Sequence, residues 1–231
     1  MPPNAILLEA QNISRRRPEG DGWLLTGVSL AIPAGGRLSV AGPSGAGKTL
    51  LLRALALLDP LDEGQVCWKG QTVHRDVIPR FRSTVMYLHQ RAALLDETVE
   101  AALQRPFTLG VQRRKRFDRP RIVDLLGQLG REESFLTKRA GELSGGEIQI
   151  TALLRALQLD PSVLLLDEPT AALDPESTRA VEELLGRWVA APGSGRAMVW
   201  VSHDAQQAGR VAEHTILMEG GGIKENHASR E

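Results

Sequence analysis

The sequence predicts an α/β protein built on a mainly parallel sheet. Short apolar runs alternate with stretches of helical periodicity along most of the 231 residues, which is the pattern of strands joined by helical crossovers. A glycine-rich turn separates one of these strands from the helix after it. The composition, 42% hydrophobic and 24% charged, supplies enough apolar side chains for a core.

The individual elements follow from hydrophobic periodicity and from the turn residues between them. Three short apolar segments near the N-terminus, with turn signals at 18–22 and 33–36, predict a small antiparallel β layer: 6–9, 28–32 and 65–69. Five further strands predict the parallel sheet: 37–41, 84–88, 163–167, 197–201 and 215–218. Helices are predicted at 47–57, 98–103, 121–129, 144–158, 175–189 and 205–212. We interpret 1–231 as one domain with a helical subdomain at about 91–145.

Charge and cysteine content exclude several classes of protein. The 28 basic residues balance the 28 acidic ones, so nothing global indicates a nucleic-acid partner. A single cysteine, Cys67, excludes a disulfide framework within the chain and predicts an intracellular protein. No apolar run is long enough for a membrane span, and the N-terminal residues do not have the pattern of a signal peptide. If the protein works at a membrane, we expect it to dock there through another chain.

One charged segment stands out. Six of the nine residues in 113–121 are basic. A solvated helical face explains such a run, and a contact with anionic lipid headgroups or with an acidic partner is the alternative.

One segment fits the phosphate-binding pattern G-x-x-x-x-G-K-[ST], and it reads Gly42-Pro43-Ser44-Gly45-Ala46-Gly47-Lys48-Thr49. It follows a predicted strand and opens a predicted helix, as the motif requires. The glycines let backbone N–H groups turn toward an anion, and the helix N-terminus adds about half a positive charge. We therefore expect Lys48 to reach the β- and γ-phosphates of a nucleotide and Thr49 to place its hydroxyl on Mg²⁺. The alternative, a chance glycine-rich turn, is made rare by the strand and helix around it.

A second segment places two carboxylates at the end of an apolar strand, 163–167. In a protein with a P-loop, a strand-end aspartate holds Mg²⁺, and Asp167 fits that role. Glu168 is then expected beside the γ-phosphate, as the general base that orients and deprotonates water. The alternative is a buried strand with a solvated acidic end.

A third segment opens a helix and reads Leu143-Ser144-Gly145-Gly146-Glu147. Ser144 and Glu147 fit a capping box, which is a sufficient structural reason for both. A capping box does not require two adjacent glycines, and glycines weaken a helix. We interpret them as positions where the backbone approaches an anion closely, which predicts a second phosphate site.

The order of these motifs resembles that of the ATP-binding-cassette (ABC) ATPases, from about residue 7 to about residue 218. Three further positions match: Gln90, Asp174 and His203. The resemblance implies that Gln90 contacts Mg²⁺ and the attacking water and senses a membrane partner. It also implies that Asp174 couples two ATP sites and that His203 contacts the γ-phosphate.

The family also implies cofactors, partners and a location. We expect ATP and Mg²⁺ as ligands, with ATP sandwiched in a homodimer. There the signature segment of one copy, residues 143–147, would complete the P-loop site of the other, residues 42–49. An integral membrane permease is expected as the partner, and nucleic acid is not. The expected place is the cytoplasmic face of the inner membrane, as a peripheral subunit.

Within the family, 149–174 and 199–204 are similar to the ATPase subunits of FetA/YbbL type, which are linked to iron or metal export. The alternatives are another ABC system, for lipids, lipoproteins or small solutes, or a soluble ABC ATPase outside transport. The stretch between Gln90 and Ser144 is too short for the long coiled coil of the soluble DNA-repair members.

The sequence departs from the family where an aromatic residue usually stacks on adenine. The corresponding region, 14–17, contains no aromatic side chain. Arg17 is our candidate for stacking through its guanidinium plane, and Trp23 is the second candidate. Ile150 and Ala171 stand where the family usually has Arg and Ser.

Overall fold

A computed structural model describes residues 5–228 and divides the chain into two compact units. The first unit comprises the chain up to Tyr87, Ser162–Glu168 and the chain from Val189 onward. The second comprises Leu88–Pro161 and Pro169–Trp188. The second unit begins close to the predicted start of the helical subdomain and extends beyond its predicted end at 145. The single-domain organisation stays a prediction.

The strands within 5–228 confirm the predicted segments. Two further strands, a two-residue strand and the final strand of the described chain, were not predicted. The strands are β1 Ile6–Arg16, β2 Trp23–Pro33, β3 Arg37–Ala41, β4 Glu63–Trp68, β5 Gln71–Thr72, β6 Val85–Leu88, β7 Val163–Asp167, β8 Ala197–Val201, β9 His214–Glu219 and β10 Gly222–Ala228. The helices are α1 Lys48–Leu55, α2 Ile78–Arg82, α3 Val99–Gln104, α4 Arg119–Gln128, α5 Gly145–Leu157, α6 Pro175–Ala190 and α7 Ala205–Val211. The sequence pattern did not predict β5, β10 or the five-residue α2.

The first unit contains both sheets. The order in the smaller sheet is β2-β1-β4-β5, and its strands are antiparallel. The order in the larger sheet is β10-β9-β3-β8-β7-β6. There β3 pairs in parallel with β8 and β9, and β7 pairs in parallel with β8, whereas β10 is antiparallel to β9. The predicted α/β class, with an antiparallel layer and a mainly parallel sheet, is confirmed.

The two N-terminal strands are longer than predicted because a bulge interrupts their apolar pattern. Asn12 in β1 and Gly27 in β2 both have a positive φ, 51° and 57°. The register between the two strands shifts between Ala10 and Ile13. Turn-forming residues in the middle of a strand mark a bulge here rather than a strand end. Each strand therefore continues for 11 residues.

The central strands were predicted to the residue because they are buried on both faces. Every residue of β7 and β8 is buried, and a continuous apolar run is the signature of such strands. The core of this unit also takes in the inner face of α1, where Leu51, Leu52 and Leu55 are completely buried. The P-loop helix is thus anchored in the core by the leucines of one face.

The second unit is helical. Its helices start at side-chain caps: Thr98 Oγ1 accepts from the Ala101 N–H (3.2 Å), and Asp118 Oδ1 accepts from the Arg121 N–H (3.1 Å). Its core consists of large apolar side chains from α3, α4, α5 and a short 3₁₀ turn. They include Leu103, Ile122, Leu126, Phe135, Leu136, Leu153, Leu154 and Leu157.

The basic segment 113–121 is partly used inside this unit. Lys115 and Arg121 donate to the backbone carbonyl oxygens of Leu159 and Leu157. Arg119 forms ion pairs with Glu100 (2.9 Å) and with Glu133. Half of the predicted charged face therefore holds the end of α5 and the ends of neighbouring turns.

Among residues 5–228, none of the helices is both long enough and apolar enough to cross a bilayer.

Candidate functional site

The glycine-rich turn between β3 and α1 forms a tight loop. Gly42 has a φ of 146°, and a Cβ there would collide with the carbonyl oxygen of Met218 on β9. Gly47 caps α1 in the left-handed region with a φ of 99°. Neither conformation suits an L side chain. The first turn of α1 leaves backbone N–H groups without intrahelical partners, so the loop ends at an electropositive helix terminus.

Lys48 lies back over this loop. Its Nζ donates to the carbonyl oxygens of Gly42 (2.7 Å) and Pro43 (3.0 Å), and the side chain is only 6% exposed. Because two carbonyl groups of the loop bind the Lys48 ammonium group, this positive charge has a fixed position at the loop. Thr49 follows as the second residue of α1 and is exposed.

The topology brings Asp167, Glu168 and His203 to the same sheet edge as this loop. The strands β3, β8 and β7 are neighbours and run parallel, so their carboxyl ends lie at one edge. The P-loop follows β3, His203 follows β8, and Asp167 and Glu168 stand at the end of β7. These residues belong to the first unit.

Asp167 is buried and has a partner that the sequence analysis missed. Its side chain is 2% exposed, and Oδ2 accepts a hydrogen bond from the Tyr87 hydroxyl (2.9 Å). Burial, and then the bond to Asp167, raise the pKa of the Tyr87 phenol well above its usual range, so it stays a donor. The only sequence signal for Tyr87 is its place at the end of a predicted strand, three positions before Gln90.

A charged cluster lies beside Tyr87. Arg53, on α1, donates to both oxygens of Asp59 (2.7 and 2.8 Å), and Arg15 Nη1 lies 2.6 Å from Asp59 Oδ2. The hydrogen bond from Arg53 and the charge of Arg15 hold the pKa of Asp59 below its ordinary value. The cluster ties the end of the P-loop helix to β1.

Glu168 and His203 contact each other directly. His203 Nε2 lies 2.5 Å from Glu168 Oε1. Glu168 has a φ of 48°, and its N–H donates to the Val201 carbonyl oxygen (3.1 Å). A left-handed conformation at a residue other than glycine costs about 1–3 kcal/mol and is concentrated at functional sites. The backbone turns the Glu168 carboxylate out of the strand direction and toward His203.

The hairpin between β1 and β2 carries the candidates for adenine contact. The Arg17 N–H donates to the Gly22 carbonyl oxygen (2.8 Å), and its exposed side chain passes close to Gly22. The Trp23 ring is covered by Arg16, whose guanidinium carbon lies 4.8 Å from the ring centroid. Arg16 was not among the predicted residues.

The remaining predicted residues belong to the second unit. Gln149, on α5, connects two of their segments: its Nε2 donates to the Gln90 carbonyl oxygen (3.1 Å), and its Oε1 accepts from the Ala172 N–H (3.0 Å). Asp174 caps α6 by accepting from the N–H (2.9 Å) and hydroxyl (2.7 Å) of Ser177, and the N–H bond lowers the Asp174 pKa. Gln149 therefore links the backbone at Gln90 to the backbone at Ala172, two positions before Asp174.

The signature segment Leu143–Glu147 forms the predicted capping box. Ser144 Oγ accepts from the Glu147 N–H (3.2 Å), and Glu147 Oε2 accepts from the Ser144 N–H (2.9 Å). The structure gives Gly146 a packing reason that the sequence analysis did not foresee. A Cβ there would lie 2.8 Å from the Ala172 carbonyl oxygen, whereas one at Gly145 would meet only the Ala172 Cβ at 3.6 Å.

Comparisons with known proteins identify the family of the chain. The family model described as ABC transporter matches residues 25–171. A probable anion import ATP-binding protein of Haloferax volcanii is 38% identical over 224 residues, covering 87% of this chain and 74% of its own. The probable iron export ATP-binding protein FetA of Escherichia coli is 35% identical over 207 residues, covering 90% and 89%.

The chain is also similar to a solved structure of a dimeric ATP-binding cassette. The dimeric, post-hydrolysis ATP-binding cassette MJ0796, bound to ADP and Pi, has a TM-score of 0.86 at 26% identity and covers 97% of this chain and 100% of its own. The chain belongs to the ABC transporter family. It is the ATPase subunit of an ABC transporter and hydrolyses ATP to ADP and phosphate.

Proposed function

We propose that the chain works as a homodimer, with ATP held between the P-loop of one copy and the signature helix of its partner. The observation that carries this proposal is that the chain has one P-loop and one signature segment, the two kinds of anion site that the family brings together. A two-fold dimer gives each P-loop a signature segment. The dimeric cassette MJ0796 supports this arrangement.

The loop 42–49 then binds the triphosphate, with Lys48 on the β- and γ-phosphates. The donor set at this edge of the sheet fits Mg²⁺, which prefers oxygen ligands. Thr49 supplies an exposed hydroxyl, and Asp167 supplies a carboxylate that Tyr87 holds in place. Gln90 is the third proposed ligand. Bound by these residues, Mg²⁺ would neutralise part of the negative charge of the phosphates.

Glu168 is the proposed general base and His203 the proposed contact of the γ-phosphate. Their direct contact holds the carboxylate and the imidazole at the carboxyl edge of the sheet. Glu168 accepts the proton of the attacking water, and the signature residues 143–147 of the partner copy stabilise the phosphate oxygens. Asp174, at the N-terminus of α6, couples the two sites. Glu168→Gln is then expected to keep ATP binding and lose hydrolysis.

Arg17 is the proposed stacking residue for adenine. It lies exposed on the hairpin, whereas Arg16 already covers the Trp23 ring. Cation–π contacts at exposed sites contribute about 1 kcal/mol. Arg17→Ala is therefore expected to weaken ATP about fivefold and free triphosphate less, as measured by calorimetry.

A separate integral membrane permease is the proposed partner, with the chain as a peripheral subunit on the cytoplasmic face of the inner membrane. We infer export as the direction and iron or another metal as the first candidate solute. The support is the relation to FetA, whose length this chain nearly covers. The anion import relative favours the alternative, uptake of a small solute. Lipid or lipoprotein transport and a role outside transport are further alternatives.

The phosphate-binding proposal is tested by Lys48→Ala. Loss of the only side-chain ammonium in the loop is expected to abolish ATP binding at millimolar concentration, as measured by calorimetric titration. Thermal unfolding of the same variant serves as the folding control. Near-normal affinity in a folded variant would contradict the phosphate site.

The solute is tested in cells of the source organism that lack the chain. If iron is exported, these cells are expected to accumulate iron, and re-expression of the wild-type chain, but not of Glu168→Gln, lowers it again. Iron content measured by mass spectrometry that does not change would favour the alternative solutes.

A further inference from the structure

The signature segment of this chain ends in a carboxylate, Glu147, and both carboxylate oxygens have a donor. Oε2 accepts from the Ser144 N–H (2.9 Å), and Lys138 Nζ lies 2.7 Å from Oε1. Glu147 is 15% exposed and Lys138 44%. Lys138 stands six positions before Ser144, directly after a 3₁₀ turn.

The cap itself does not need the negative charge of Glu147. A glutamine at this position of a capping box accepts the same hydrogen bond. An ordinary glutamate is already ionised at neutral pH, and Lys138 and then the Ser144 N–H lower the Glu147 pKa further, to about 2. The side chain of Glu147 therefore brings a negative charge to the N-terminus of α5.

This charge opposes the role that the proposed function gives to the segment. If phosphate oxygens of ATP approach Ser144 and Gly146 from the partner copy, they come within about one helical turn of the Glu147 carboxylate. Like charges at such a distance repel each other, and the helix N-terminus offsets only part of that repulsion. A cation at the carboxylate restores the attraction.

We propose that Lys138 is the positioning residue that makes an acidic signature segment able to receive ATP, by neutralising and holding the Glu147 carboxylate. This inference rests on the proposed ATP-bridged dimer. The rival explanation is purely structural, because the Lys138 ammonium also lies 5.8 Å from the centroid of the Phe135 ring and helps to fix the turn.

The test uses the full chain with Glu168→Gln, so that ATP is bound and not consumed. Sedimentation measures the ATP concentration for half-maximal dimerisation. Lys138→Met is expected to raise this concentration about tenfold, whereas Lys138→Arg is expected to leave it within about twofold. The matched control is Lys224→Met, which removes a lysine from the Lys224–Glu219 pair on the last hairpin.

The decisive comparison removes the carboxylate as well. With Glu147→Gln in place, the further change Lys138→Met is expected to alter the half-maximal concentration less than about twofold, because no charge is left to neutralise. A tenfold loss that persists with Glu147→Gln would show that Lys138 acts structurally, and it would overturn the inference. So would a Lys138→Met variant that dimerises like its parent.

The proposed dimer and the role of Lys138 are contradicted by different results. If the Glu168→Gln parent stays monomeric at saturating ATP and Mg²⁺, the proposed dimer is wrong, and the role of Lys138 is wrong with it. If the parent dimerises and the charge dependence is absent, only the role of Lys138 is wrong.

Discussion

Tyr87 lies outside the recognised motifs but contacts a residue of the candidate site. Its hydroxyl is the hydrogen-bond donor to Oδ2 of Asp167, which is buried and is the proposed Mg²⁺ ligand. A residue that orients a metal ligand affects metal affinity although it never touches the metal. We therefore expect Tyr87 to act as a positioning residue of the proposed Mg²⁺ site.

Tyr87→Phe tests this role while keeping the ring in place. We expect the Mg²⁺ concentration for half-maximal ATP hydrolysis to rise about tenfold, because the Asp167 carboxylate loses its orientation. Calorimetry in EDTA provides the control: ATP affinity without Mg²⁺ should match that of the wild type. An unchanged Mg²⁺ dependence would assign Tyr87 to packing alone.

Site residues that belong to a sequence motif were predicted. Residues whose role depends only on a tertiary contact were not. Lys48 and Asp167 were predicted because spacing and strand context identify them. Tyr87 was missed because its partner lies 80 positions away, on a strand that the order β8-β7-β6 makes its neighbour. The two hydrogen bonds of the Gln149 side chain were not predicted for the same reason, because both partners are backbone groups far away in the sequence.

The two adjacent glycines at the start of helix α5 have two possible explanations, approach of an anion and close packing. The sequence pattern alone indicates that an anion approaches Gly145 and Gly146 closely. The structure explains Gly146 by packing as well, since a Cβ there would press on the Ala172 carbonyl oxygen at 2.8 Å. Only Gly145 lacks such a constraint.

We expect Gly146→Ala to lower the free energy of unfolding by about 1–3 kcal/mol, as overpacked sites do. Gly145→Ala is the matched control at the neighbouring position, where alanine is neutral or favours the helix by up to about 1 kcal/mol. Urea denaturation measures both. Equal effects of the two substitutions would contradict the packing explanation.

The P-loop helix α1 is anchored at its far end by Arg53, which holds Asp59 together with Arg15 of β1. Asp59→Asn removes the charge and keeps the size. We expect a loss of about 2 kcal/mol at pH 7. Glu213→Gln, in the more exposed pair with Arg37, is the control and should lose about 0–1 kcal/mol.

The pH dependence of this loss follows from the lowered pKa of Asp59. Its ordinary value is 3.8, and the folded value lies below it. The stabilisation is therefore complete above about pH 5 and declines as the pH falls through 3.8 and then through the folded pKa. The difference in stability between wild type and Asp59→Asn should shrink at pH 3 relative to pH 7. A constant difference from pH 7 to pH 3 would contradict the ion-pair explanation.

At the scale of the whole molecule, the sequence predicted the fold class and the motifs that the parallel strands bring to one edge of the sheet. Fully buried strands and the P-loop were enough for that, because parallel strands place their carboxyl ends together. The missing parts are those without a continuous apolar run. The edge strand β10 is antiparallel to β9 and contains a polar run at 224–227, and the bulge at Asn12 and Gly27 interrupts two long strands.

The two-copy site gives the last prediction. Lys48→Ala damages the P-loop, Ser144→Arg damages the signature, and each alone should abolish hydrolysis. A mixed dimer of the two variants has one site with both lesions and one site with none, because each site takes its P-loop from one copy and its signature from the other. If the two sites work independently, an equimolar mixture should recover about one quarter of the wild-type rate, since half of the dimers are mixed and half of their sites are intact.

The binding half of this prediction does not depend on independent sites. With Glu168→Gln added to both variants, ATP and Mg²⁺ should drive mixed dimers that hold one nucleotide, while each variant alone stays monomeric. Labelling the two chains with a donor and an acceptor dye measures the mixed dimer directly. If both loops of a site came from the same chain, no pairing of variants would rebuild an intact site, and neither energy transfer nor hydrolysis would return.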